Sequence, residues 1–191
     1  LKDEATEDLY RLAGVSSDER VFTPPLDALK MRLPWLVVNL GTAFLAASVV
    51  KVFEGTIGRV TALAVFMPIV AGMGGNAATQ TLTVIVRGFA LGELTWSNSR
   101  KALVKEMLVG LGNGVGCGAV AASVGLVLGL AMVINMFIAS AAGTLVPLGL
   151  RAAKVDPALA SSVFISTLTD IFGFLSFLGL GTVFVRFLHV T

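Results

Sequence analysis

The chain has 191 residues, 55% of them hydrophobic and 14% charged, with a formal net charge of +2 and a mean hydropathy of +0.88. Soluble domains average about a quarter charged residues, and a chain this small has too little interior to hide so much apolar side chain, so a bilayer is the expected solvent. The lone cysteine, Cys117, has no partner for an intrachain disulfide, the abundance of apolar residues argues against disorder, and no nucleic-acid partner is expected.

The chain opens on Leu1 with no cleavable signal pattern, and is expected to be part of something longer with a domain upstream. Residues 1–32 hold most of the acid, and Glu4 to Gly14 has the pattern of a short amphipathic helix closed by glycine. Pro24 and Pro25 precede a charge-free run from Leu33, which predicts a first span over about 33–53. Lys51, Glu54 and Arg59 mark the loop that follows.

The second uncharged run, over 60–86, contains Pro68, Gly72, Gly74 and Gly75, and its second half is polar through Asn76, Thr79, Gln80, Thr81 and Thr83. Broken backbone at membrane depth survives only against protein or a watery cavity. The expectation is therefore a second span, broken by its proline and glycines, that faces an interior or a pathway. Met107 to Leu150 is 44 residues without a charge, enough for two spans at about 20 residues each. They are placed at 107–127 and 129–150, with a hairpin turn near Gly125–Gly129. After Arg151, Lys154, Asp156 and Pro157 a fifth span runs over 158–185, and residues 33–191 form one membrane domain behind a cytosolic segment, 1–32. With the N-terminus inside, nine basic residues from Arg20 onward fall on the cytoplasmic side, besides Lys2 and Arg11, and three, Lys51, Arg59 and Arg186, outside. That bias predicts a cytoplasmic N-terminus and an outer C-terminus.

Asp170 is the only charge inside the fifth span. A carboxylate there is costly unless a cavity or a partner compensates, and no base lies inside any span to pair with it. Ser162, Ser166 and Gly173 share its helical face and Thr169 adjoins it, a small and polar stripe that predicts a water-lined surface. A cation is the missing partner this suggests: Mg²⁺ keeps most of its waters and leans on one or two carboxylates, and two copies of the chain would supply two. Proton relay is the competing use of such an acid, with no second membrane acid or histidine to continue it. Asn76 and Gln80 could hydrogen-bond between helices or offer oxygen to a hydrated ion.

Gly72, Gly74 and Ala77, and again Gly114, Gly116 and Ala119, match a dinucleotide fingerprint in spacing. They lie in uncharged spans without its strand–turn–helix context. Gly110 to Gly118 instead forms two interleaved small-residue stripes suited to helix packing, with Asn113 and Cys117 as packing residues. No nucleophile–base–acid set appears, so no enzyme is expected.

The run Pro68-Ile-Val-Ala-Gly-Met-Gly-Gly-Asn-Ala-Ala-Thr-Gln80 resembles the broken second helix of the MgtE family of magnesium channels. Asp156-Pro157-Ala158-Leu159-Ala160-Ser161 followed by Thr167-Leu168-Thr169-Asp170 looks like its last loop and fifth helix. Glu4 to Arg11 looks like the end of its connecting plug helix, and Arg32-Leu-Pro-Trp35 like the entry to its first span. The resemblance implies an all-α polytopic homodimer with five spans per subunit and a pore on the two-fold axis. It implies hydrated Mg²⁺ held by Asp170 of both copies, with the backbone oxygen of Ser166 as a further contact. It further implies cytosolic CBS-type sensor domains upstream, and Glu4, Glu7 and Asp8 as regulatory Mg²⁺ ligands of the plug. The alternatives left open are a proton- or sodium-coupled divalent cation transporter using the same aspartate, and a non-conducting membrane subunit.

Overall fold

The computed structural model describes residues 10, 12–16, 18–155, 157 and 162–190, and among them every regular element is a helix. Helix α1 spans Pro25–Val52, α2 Glu54–Arg59, α3 Ala62–Ala90, α4 Ser99–Ala122, α5 Leu126–Ala152 and α6 Ser162–Val190. Four of the five long helices, α1, α3, α5 and α6, are long and apolar enough to cross a membrane. Helix α4 falls short of that measure because Arg100, Lys101, Lys105 and Glu106 occupy its first two turns and glycines dilute the rest. Short connections make successive long helices alternate in direction, with α5 at the centre between α4, α3 and α6.

Helix α1 begins earlier than the charge pattern predicts. Pro25 sits at its first position, where a missing N–H costs nothing, and Asp27 and Lys51 lie at the ends whose partial charges they oppose. Only Ala46 of this helix is buried, and its one extended seam is with α6. A helix apolar all round and so little covered has lipid or a second chain as its natural surroundings.

The break expected in the second span is absent: α3 is helical from Ala62 to Ala90 through Pro68, Gly72, Gly74 and Gly75. Pro68 removes a single donor, and the stripe Val70, Gly74, Ala77, Ala78, Thr81 and Leu82 is buried at helical spacing against α5 and α6. That burial outweighs glycine's poor propensity, about 1 kcal/mol per residue. The polar half stays helical because its hydroxyls bond within it: Thr79 Oγ1 donates to the Gly75 carbonyl and Thr83 Oγ1 to the Thr79 carbonyl, each at 2.8 Å.

Of the two glycine stripes on α4, the structure packs one. A methyl built at Gly114 would lie 2.9 Å from Val133 Cα, and one at Gly118 2.7 Å from the Gly129 carbonyl oxygen, whereas Gly112 and Gly116 meet nothing within 4 Å. Such close backbone approach is how helices associate where lipid is as apolar as the side chains. The α4–α5 turn falls at 123–125, and Gly129 is already inside α5.

At the other edge of the bundle, Gly14 adopts φ +70°, a left-handed conformation open to glycine, and a side chain there would collide with the Trp35 indole. Trp35 in turn meets Phe164 of α6 edge to face, ring centroids 5.8 Å apart. Leu12 also packs against the core. The end of the segment predicted as a connecting helix is thus held against the bundle, while Glu4, Glu7 and Asp8 lie outside the described residues, as do Asp156 and Ala158–Ser161.

Candidate ion-binding site

Asp170 lies two turns into α6 and is half-buried. Among the described residues no base and no hydrogen-bond donor reaches its carboxylate. The small and polar stripe around it divides. Ser166 keeps some exposed surface, its hydroxyl donating to the Val163 carbonyl at 3.2 Å. Thr169 is wholly buried, and its Oγ1 donates at 2.9 Å to the carbonyl of Ser166. Gly173 is buried as well, its α-carbon against the side chain of Asn135. Within one chain, therefore, Thr169 and Gly173 face protein, and Asp170 and Ser166 carry what surface the stripe presents. The backbone of Ser162 opens the helix, and its side chain lies outside the described residues.

On α3, Asn76 and Gln80 are both exposed, on the face opposite the buried stripe. The structure thus puts them on open surface, without side-chain partners among the described residues. No group of three or more His, Cys, Asp or Glu side chains that could hold a metal ion forms among the described residues. A cation at Asp170 would accordingly need its own waters, backbone or amide oxygen, or a second copy of the chain.

Two polar residues that sequence patterning passes over are central to this bundle. Asn135 of α5 is wholly buried, and its Nδ2 donates to the Val70 carbonyl of α3 at 2.7 Å, while its Oδ1 has no hydrogen-bond partner among the described residues. An amide, one of two in the 44-residue silent run with Asn113, carries no charge to draw notice; the available signal is its setting between Ala131 and Ala139, small residues one turn either side that predict close helix contact. Glu106 falls, by charge alone, in the loop before the third span, yet it lies two turns inside α4 and is buried. Thr81 of α3 donates to its Oε2 at 3.1 Å and Lys105 pairs with its other oxygen, so the carboxylate is compensated, as a buried charge must be.

Outside the bundle, Glu19 is buried against Arg32, whose Nε donates to both carboxylate oxygens at 2.9 and 3.0 Å while Nη2 adds a third contact. These hydrogen bonds hold the Glu19 carboxyl below the usual carboxylate range. Arg151, at the end of α5, lies over the Phe89 ring, 4.3 Å from its centroid, and donates to the Leu94 carbonyl at 2.9 Å.

Membrane-length helices packed through glycine, with a half-buried carboxylate on one of them that no described side chain compensates, are the marks of a multi-pass helical membrane protein. Residues 67–180 match the profile of MgtE, described as a divalent cation transporter. The chain is 33% identical over 193 residues to a magnesium transporter MgtE of Bacillus subtilis, covering 96% of this chain and 43% of that protein. It is 35% identical over 197 residues to one of Enterococcus faecalis, covering 98% and 43%, and 34% identical over 191 residues to one of Thermus thermophilus, covering 93% and 42%. The chain belongs to the MgtE family. It spans less than half the length of these curated relatives.

Proposed function

We propose that two copies of this chain form a pathway that carries hydrated Mg²⁺ across the membrane into the cytoplasm, with Asp170 from each copy as the principal ligand. The observation that carries the reading is the Asp170 carboxylate itself, placed within an apolar helix and without a partner among the described residues. Mg²⁺ gives up water reluctantly. Two carboxylates facing each other across water can hold the hydrated ion through its hydrogens at less cost than stripping it. The Ser166 backbone oxygen is one turn away, and Asn76 and Gln80 are further acceptors along the route. Support comes from the family's description and the magnesium named for the relatives, and the uncovered surfaces of α1 and α6 are suited to a second copy. Five spans, a cytoplasmic N-terminus and an outer C-terminus in the plasma membrane accord with the distribution of basic residues. Upstream sensor domains of the CBS type, and Mg²⁺ at Glu4, Glu7 and Asp8 as a regulatory ligand, belong to the same reading.

The test is Mg²⁺ flux into vesicles reconstituted with the protein, with membrane potential, proton gradient and sodium gradient set independently. Flux is expected to follow the magnesium electrochemical gradient, and Asp170→Asn to abolish it while leaving the dimer intact. Flux that requires a proton or sodium gradient, or a variant that falls apart, would replace the channel reading with coupled transport or a structural role for Asp170.

A further inference from the structure

We infer that Asn135 is a positioning residue that sets the ion-facing residues of α3 and α6 at one depth in the membrane; the inference rests on the pathway proposed above. Asn135 belongs to neither of those helices. It projects from α5 into a notch made by two glycines: a methyl at Gly74 of α3 would lie 2.5 Å from its Nδ2, and one at Gly173 of α6 3.0 Å from its Oδ1. The same amide is tied to the α3 backbone through the Val70 carbonyl. One side chain thus fixes where α3 and α6 stand relative to each other.

The consequence for the site follows from helix geometry. Helices α3 and α6 are antiparallel. Asn76 lies two residues beyond Gly74 towards the Ala90 end of α3, and Asp170 three residues before Gly173 towards the Ser162 end of α6. At 1.5 Å per residue these are displacements of about 3 and 4.5 Å, in the same direction across the membrane. The amide therefore holds the α3 oxygen donor and the α6 carboxylate within about 1.5 Å of the same level.

The chemistry of the notch argues that this amide is there for placement and not for cohesion. A wholly buried acceptor left without a partner works against folding. Gly74 and Gly173 lie beside it, and contacts to glycine Cα–H groups are second-order. An apolar residue there would satisfy packing without leaving an orphan, but it could not tie α5 to one particular carbonyl of α3 and so would let the helices slide.

The experiment compares Gly74→Ala, Asn135→Ala and the double variant Gly74→Ala/Asn135→Ala, with Asp170→Asn as reference. Each is purified as the assembled protein and measured for thermal midpoint and for the Mg²⁺ dependence of vesicle flux. Gly74→Ala is expected to lower the midpoint, because its methyl strikes the amide, and the double variant with Asn135→Ala to bring it back within about 4 °C. That double variant is nonetheless expected to need about 10- to 100-fold more Mg²⁺, the loss typical of residues that orient ion ligands. If the double alanine variant recovers Mg²⁺ dependence together with its midpoint, Asn135 only fills space and the inference is overturned. Unaltered flux in Asp170→Asn would instead bring down the pathway reading itself, whatever the Asn135 variants do.

Discussion

Adding one methyl to α4 should separate its two glycine stripes sharply. At Gly114 the new carbon would stand 2.9 Å from Val133 Cα and 3.0 Å from the Val133 carbonyl oxygen, both backbone atoms of α5, so a rotamer change cannot relieve the clash and the helices must part. Overpacking of this kind costs about 1–3 kcal/mol. At Gly112, two residues away on the same helix, there is nothing within 4 Å. The methyl there is free to act through propensity, and alanine is favoured over glycine by about 0.5–1 kcal/mol in a helix interior. The propensity gain is common to both, so Gly114→Ala should fall below Gly112→Ala by the overpacking cost of about 1–3 kcal/mol, with Gly112→Ala at least as stable as the parent. Reversible unfolding of the purified protein in mixed micelles, monitored by helix content, measures both on one scale. Gly118→Ala and Gly116→Ala form a second matched pair. Equal destabilisation by Gly112→Ala and Gly114→Ala would refute the assignment of the 110/114/118 stripe as the face that meets α5.

Other perturbations test the polar contacts. Thr81→Val leaves Glu106 with Lys105 alone and should destabilise by about 1–3 kcal/mol, seen as a lower thermal midpoint; Glu106→Gln, which can still accept from Thr81, should cost less. Arg151→Ala removes the stacking over Phe89 and the bond to the Leu94 carbonyl, and should expose residues 91–98 to faster hydrogen exchange, with a loss of about 1–2 kcal/mol. The Glu19 carboxyl titrates lower in the folded protein than in the unfolded chain. Its contribution is thus fully present above the unfolded value, about 4.3, and is lost as the pH falls through the folded one. Protease cleavage between residues 14 and 24 should accelerate across that acid window, and Glu19→Gln should flatten the dependence.

Charge and glycine are the legible parts of this sequence. Asp170 stands out because no other charge shares its span, and the 110/114/118 stripe because small residues recur every fourth position. Which stripe is used is not legible, since it depends on where α5 lies. The expected break in α3 fails for a related reason. Proline and glycine report local propensity, whereas the helix is held by burial of Val70, Gly74, Ala78 and Leu82 against two neighbours and by back-bonded threonines that satisfy their polarity locally. Thr169 and Gly173 share the side of α6 on which Asp170 stands, but a helical face is wider than an ion path, and sequence spacing cannot say that α5 covers part of it with Asn135. Glu106 reads as loop when charge is used to end spans, a rule that fails wherever Thr81 and Lys105 wait inside the bundle.

The back-bonded hydroxyls have one more consequence. Thr79 and Thr83 on α3, and Ser166 and Thr167 on α6, each donate their proton to a carbonyl of their own helix, and all four retain exposed surface. A hydroxyl with its hydrogen turned inward shows the outside only lone pairs. Four such groups give these two helices a skin that is electron-rich without being charged. On the pathway proposed above, these hydroxyls would accept from the outward-pointing hydrogens of a hydrated cation and would not donate to an anion, adding to the preference set by the Asp170 carboxylate.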